Sequence, residues 1–318
     1  MMIRKPAIIL FLGIISTSVS AEGLDRAYVS NEMSDSISVI DLESNTVSKT
    51  LPVGDRPRGM ALSADHSELY VAVGQEDAIA VVDLLTLSVK DKLVVGSDPE
   101  TLAVGPDGFL YVPNEDAGQL TVINPQNESV LARIQVGTEP EGVAVSPDGK
   151  LVLVTSEASN KVHVITTADH QLVKSMTVAA RPRGVIFNHA GSRAYVASEV
   201  GNEVAMIDMK TLSVAERASV EVTGARPMAV LLSPDEKTLY VSTGRANAVA
   251  VLDAETLAHQ GSIMVGQRVW GLAITDDGRK LYTADGISNS VSVIDTNKPE
   301  LINTIPVGKS PWGVVIVD

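Results

Sequence analysis

Val53-Gly54-Asp55-Arg56-Pro57-Arg58-Gly59 is the stretch on which the fold turns, because it returns along the whole chain. The pattern Val-Gly-x-x-Pro-x-Gly, with local departures, recurs around Pro99, Pro140, Pro182, Pro227, Val269 and Pro311, at spacings of 42, 41, 42, 45, 42 and 42 residues. A period of that size marks an architecture in which each unit is one supersecondary element stacked on its neighbours.

Within a unit the same signals follow in order. An apolar run (Gly59 to Leu62) precedes a polar turn at Ala64-Asp65; further runs follow at Leu69 to Val73 and Ile79 to Val82, and a fourth ends at Val94-Val95. Short runs rich in Val, Ile, Leu and Tyr, bounded by Gly, Pro, Asp or Asn, read as strands. Pro106-Asp107-Gly108 and Pro147-Asp148-Gly149 supply a fixed φ, a side-chain acceptor and a positive φ, so the first and second strands form hairpins. After the third strand Asp41, Asp83, Asp208, Asp253 and Asp295, with Asn124 and Thr166 in the remaining places, can hydrogen-bond the chain ahead and turn it.

Four strands repeated at this period describe the radial blades of an all-β, seven-bladed propeller, whose edges are short and protected. The repeat starts at a second strand, Ala27-Tyr28-Val29, and stops after a lone first strand, Gly313 to Val317. Placing that last strand beside the N-terminal ones completes the seventh four-stranded blade and closes the ring. The Tyr column (Tyr28, Tyr70, Tyr111, Tyr195, Tyr240, Tyr282) keeps the period and reads as core between blades.

Arg4 and Lys5 before an apolar run from Ala7 to Ile15, ending in Val19-Ser20-Ala21, read as a cleaved signal peptide. The expected organisation is a leader at 1–21, a propeller at 22–318 and a periplasmic location, with no membrane span in the mature chain. The absence of cysteine excludes disulfides, Cys-ligated zinc, iron-sulfur clusters and covalently attached haem. A net charge of −14 repels phosphate backbones and anionic lipid, so nucleic acid is a poor partner. The five histidines show no metal-ligand spacing; a hard cation such as Ca²⁺ held by carboxylates alone is the one metal reading left.

The second strands Ala27-Tyr28-Val29-Ser30-Asn31, Leu69-Tyr70-Val71, Leu110-Tyr111-Val112-Pro113-Asn114 and Leu239-Tyr240-Val241-Ser242-Thr243 give a resemblance to the bacterial "YVTN" family of exported seven-bladed propellers. Arg56-Pro57-Arg58-Gly59, Asp98-Pro99-Glu100, Val265-Gly266-Gln267-Arg268-Val269-Trp270 and Pro311-Trp312-Gly313 resemble the subgroup associated with PQQ-dependent alcohol catabolism. That resemblance implies partners in a pathway: a periplasmic quinoprotein dehydrogenase, a cytochrome c or a transporter component. The chain itself is expected to carry no cofactor, because propeller-type PQQ dehydrogenases use eight blades and commonly a pair of adjacent cysteines.

The candidate site is the propeller mouth, where loops joining a fourth strand to the next first strand open beside those joining second to third strands. Flanking the Pro positions, two columns read Arg56, Asp98, Glu139, Arg181, Arg226, Arg268, Ser310 and Arg58, Glu100, Glu141, Arg183, Met228, Trp270, Trp312. An acidic sector thus faces a basic one, with both tryptophans between the basic residues. The second-to-third loops add Glu32, Glu115, Asp116, Glu157, Glu199, Arg245 and Asp285. Two readings fit: Arg and Glu from adjacent blades pair as a latch, or unpaired Arg forks bind a small anion while a Trp face stacks on a planar ligand or partner. With no nucleophile–base constellation legible, a non-catalytic binding or scaffold protein is favoured. The alternative is a lactonase-like hydrolase using Glu and Arg as base and oxyanion donor.

Overall fold

In the computed structural model, which describes residues 25–318, the chain forms seven four-stranded antiparallel sheets. The expected leader at 1–21 lies outside the described residues. Blades 1 to 6 run in chain order, with inner strands at Pro57–Leu62, Ala103–Val104, Pro140–Val145, Pro182–Phe187, Val230–Leu232 and Val269–Ile274. Blade 7 joins Pro311–Val317 to Arg26–Asn31, Ser36–Asp41 and Thr46–Pro52. The register Arg26↔Val317, Tyr28↔Val315 closes the ring by backbone pairing. Among the described residues there is no α-helix, and none of the structure is long and apolar enough to cross a membrane as one.

The turns follow their side chains. Phe109 N–H donates to Asp107 at 3.0 Å with Gly108 at φ 78°, and Ser44 N–H donates to Asp41 at 2.7 Å. All six tyrosines are buried, and each core cluster spans neighbouring blades, as where Val71 and Val73 of blade 1 meet Tyr28, Ile37 and Val39 of blade 7. The core therefore lies between blades rather than within one, so no unit can bury its apolar face alone.

Two local devices aim side chains at the axis. Between Pro57↔Val73 and Met60↔Val71 the inner strand carries one extra residue, and the same bulge recurs in blades 3, 4, 6 and 7. Such a bulge re-aims a side chain; here it turns the residue after the proline toward the mouth. The glycine that follows touches the next inner strand: a Cβ on Gly59 would meet Thr101, and one on Gly184 would meet the Met228 carbonyl oxygen and Ala229. Thr101 and Ala229 replace this glycine in blades 2 and 5, and those two inner strands are the shortest of the seven.

Candidate functional site

At six of the seven proline positions, all but that of Arg226, the residue before is held in the left-handed region, with φ of 58° at Arg56, 50° at Asp98, 54° at Glu139, 60° at Arg181, 58° at Arg268 and 52° at Ser310. For residues with a Cβ this region is sparsely populated, and a repeated hydrogen bond helps hold it. The N–H of Arg56 donates to Asp35, Asp98 to Asp77, Arg181 to Asn160, Arg268 to Asn247 and Ser310 to Asn289, at 2.9 to 3.1 Å. Each acceptor ends a second-to-third turn 21 positions earlier. The two loop sets at the mouth are thus tied together. Glu139 lacks this bond because Gly118 stands in the acceptor's place. Arg226 lacks it because the longer connection carries it away from Asn202, whose buried Oδ1 is left without a donor.

Half of the residues in the two predicted columns gather into two ion-pair clusters. Across blades 7, 1 and 2, Arg56 meets Glu32 at 3.4 Å, Asp98 at 2.5 Å and Glu100 at 3.0 Å, while Arg58 meets Glu32 at 2.9 Å and also Glu100. Across blades 3 and 4, Arg183 meets Glu141, Glu157 at 2.9 Å and Glu199 at 2.8 Å, and Arg181 meets Glu157 at 2.5 Å. Each cluster sets two guanidiniums against three carboxylates, so each is one proton short of neutrality. Low-dielectric surroundings penalise the surplus charge.

The protonation pattern follows. Burial, assisted by Glu141 and a hydrogen bond with Glu115, pushes Glu100 up to about 8 despite the pull of Arg58. Burial and a hydrogen bond with Glu141 push Glu157 up to about 9. Burial would raise Glu141 too, but Arg183 and the bond from Glu157 outweigh it and hold Glu141 below its ordinary value. Glu157 therefore carries the proton of this pair and Glu141 the charge.

The remaining predicted residues stay outside these clusters. Trp270 and Trp312 stack with ring centroids 6.0 Å apart. Arg58 lies over Trp312 at 5.9 Å; Arg183 and Arg268 lie over Trp270 at 5.4 and 4.8 Å. Arg58, Glu100, Glu141, Arg183, Trp270 and Trp312 thus encircle the axis. Glu139, Arg226 and Arg268 have no ion-pair partner among the described residues. Asp285 is fully buried against Ser292 at 2.7 Å and Thr283 at 2.7 Å, so it serves the interior of blade 6. His163 is buried on its strand, bonded to Ser175.

Above the ring opens a cavity of about 380 Å³, bounded by Glu32, Arg56, Arg58, Arg181, Arg183, Arg268 and Trp270. Met33 and Ile287, at the tips of two second-to-third turns, also border it, and the two columns flanking the prolines did not single them out. Asp98, Glu100 and Glu115 lie close enough together to share a cation, but Arg56 and Arg58 already occupy Asp98 and Glu100.

Comparison with known proteins fits this architecture. The family model described as "Lactonase, 7-bladed beta-propeller" matches residues 167–304, and that described as "YNCE-like beta-propeller" matches residues 101–193. No curated protein matches significantly. Among solved structures, the hydrazine synthase of Kuenenia stuttgartiensis is 22% identical over 81% of this chain and 88% of its own, with a TM-score of 0.74. A candidate 6-phosphogluconolactonase of Bacteroides fragilis is 21% identical over 94% and 99%, with a TM-score of 0.78. A protein of unknown function from Desulfotomaculum acetoxidans is 18% identical over 92% and 98%, also with a TM-score of 0.78. At these identities the likeness is one of fold: the chain is a seven-bladed β-propeller, similar over parts of its length to seven-bladed lactonase and YNCE-like propellers.

Proposed function

We propose that the protein is a non-catalytic binding propeller whose mouth holds an anionic group carried on a planar body. One observation carries this reading. Of the five arginines around the cavity, four have an acidic side chain within 4 Å, Arg181 having both Glu157 and Glu199, and among the described residues only Arg268, lying over Trp270, has none. A guanidinium with free donors binds a carboxylate or phosphate in bidentate geometry, and Trp270, which borders the cavity, adds apolar surface beside it for a planar body. The carboxylates that could act as bases are instead tied to arginine, which fits binding better than turnover. An accessory role beside a periplasmic PQQ-dependent alcohol oxidation system remains part of the proposal, resting on the segments around Arg56, Asp98, Arg268 and Trp312.

The test is thermal melting and tryptophan fluorescence of the protein with PQQ as a planar tricarboxylate, gluconate as an aliphatic carboxylate, and inorganic phosphate. A ligand at 100 times its Kd adds about 2.7 kcal/mol to stability. The planar carboxylate is expected to raise Tm and quench fluorescence, and Arg268→Ala to abolish both. No shift with any of the three would reject the site. The second reading, a lactonase-like hydrolase, draws on the match at 167–304 and on Glu157, a carboxyl kept protonated beside the mouth. Turnover of a sugar lactone that is lost in Glu157→Gln would establish it instead.

A further inference from the structure

The tips of the seven second-to-third turns form a third column, Met33, Gln75, Asp116, Ala158, Val200, Arg245 and Ile287, that stands proudest around the mouth. It is sorted. Val200, Ile287 and Met33, exposed by 51%, 60% and 68%, share one side of the ring with Arg245, while the opposite side carries Gln75, Asp116 and Ala158. Burial explains none of these three large apolar side chains, and apolar tips gathered beside a cleft mark a contact surface.

The surface is continuous and basic. Met33 N–H donates to the Lys309 carbonyl, Ser310 N–H to Asn289, Ile287 N–H to the Gln267 carbonyl, and Arg268 N–H to Asn247, next to the Arg245 turn. A Cβ on Gly244, beside Arg245, would lie 2.7 Å from the Arg226 carbonyl oxygen. Four cations therefore line this arc, Lys309, Arg268, Arg245 and Arg226, and among the described residues none has a carboxylate partner. On a chain of net charge −14 a cationic stretch left unneutralised is unexpected.

We propose that this arc, from Met33 through Ile287 to Arg226, docks a protein segment that combines acidic side chains with exposed aliphatic ones. Charge complementarity names the acidic part, because unpaired cations on an acidic molecule select an oppositely charged partner and repel further copies of the chain. The apolar tips name the rest: a purely polyanionic partner gains nothing from Ile287 or Met33. The proposal extends the binding reading above, since the same partner could place one of its carboxylates on Arg268.

Fluorescence anisotropy with three labelled 12-residue peptides tests it: one of Glu and Leu, one with Ser for every Leu, and one with Lys for every Glu. The Glu/Leu peptide is expected to bind, with affinity falling as salt rises. Arg245→Gln with Lys309→Gln, both exposed and outside the cavity, should weaken it about tenfold, while Arg268→Ala, not this pair, abolishes the PQQ melting shift. Equal binding of the Lys/Leu peptide, undiminished binding in the double variant, or equal competition by a single-stranded oligonucleotide would overturn the proposal; equal binding of the Glu/Ser peptide would remove its apolar half. Peptide binding without any PQQ shift would leave this surface standing and defeat the small-anion reading alone.

Discussion

Replacing Arg183 by methionine keeps the aliphatic bulk of the side chain and removes its contacts with Glu141, Glu157 and Glu199, together with the cation over Trp270. The Arg183 side chain is only 11% exposed, so the 0 to about 1 kcal/mol typical of surface pairs does not apply. Removing one partner of a buried pair costs about 3 to 5 kcal/mol, because the other charge is stranded. Arg181 still faces Glu157 at 2.5 Å, which places the expected loss near the lower bound, about 3 kcal/mol. At roughly 2 to 4 °C per kcal/mol for a large domain, Tm should fall by about 6 to 12 °C. The stranded group is Glu141, which Arg183 holds below its ordinary value. Without that cation it takes up a proton more readily, so the deficit should shrink between pH 8 and pH 5. Arg183→Met with Glu141→Gln should recover part of it. Circular dichroism melts and urea titrations at both pH values provide the measurement. A drop under about 2 °C, or one indifferent to pH, would mean that the cluster is worth no more than an exposed ion pair and that the reasoning fails.

Three further outcomes are expected. Glu157 is raised from 4.5 to about 9 and Glu100 from 4.5 to about 8 in the folded state. The native form therefore binds more protons than the unfolded one across that window, and stability falls as pH rises from about 4.5 to 9; Glu157→Gln should flatten the decline, and an identical pH profile in the variant would contradict the proton assignment. Gly142→Ala drives a methyl group into the Arg183 carbonyl oxygen and within 2.8 Å of Thr155 Oγ1, whereas at Gly224, with φ 77°, nothing lies within 4 Å. The first should lower Tm much more than the second, which costs only backbone strain of about 1 kcal/mol; equal effects would deny the close approach of inner strands at the axis. Deleting residues 311–318 removes the strand paired with Arg26–Asn31 and should abolish the cooperative melt, while an unchanged melt would show that ring closure contributes little.

Asp107 and Asp41 turn the chain as read, and Tyr28 to Tyr282 are core, because both roles depend on local spacing and strand alternation alone. Arg56, Arg58, Glu100, Glu141, Arg181 and Arg183 were legible as residents of one mouth, since period and loop position place them there. Whether they paired was not legible. Met33 and Ile287 sit in turns whose legible signal is charge, and only the 42-residue period, which aligns them with Gln75 and Arg245, marks them.

The sequence by itself determined the blade count, the four strands per blade, the closing of the ring by a last strand at Gly313 to Val317 and the pooling of Arg, Glu and Trp at one end of the axis. These are consequences of periodicity, which is a property of a line of residues. Only the tertiary structure decided which guanidinium meets which carboxylate, that Arg268 lies free over Trp270 while Arg183 does not, and that Glu157 rather than Glu141 keeps a proton. Those distinctions depend on distances of 2.5 to 6.0 Å between side chains that stand, for the most part, on different turns or on different blades. Bulges, left-handed residues and glycine contacts at the axis set these distances, and repeat spacing does not encode them.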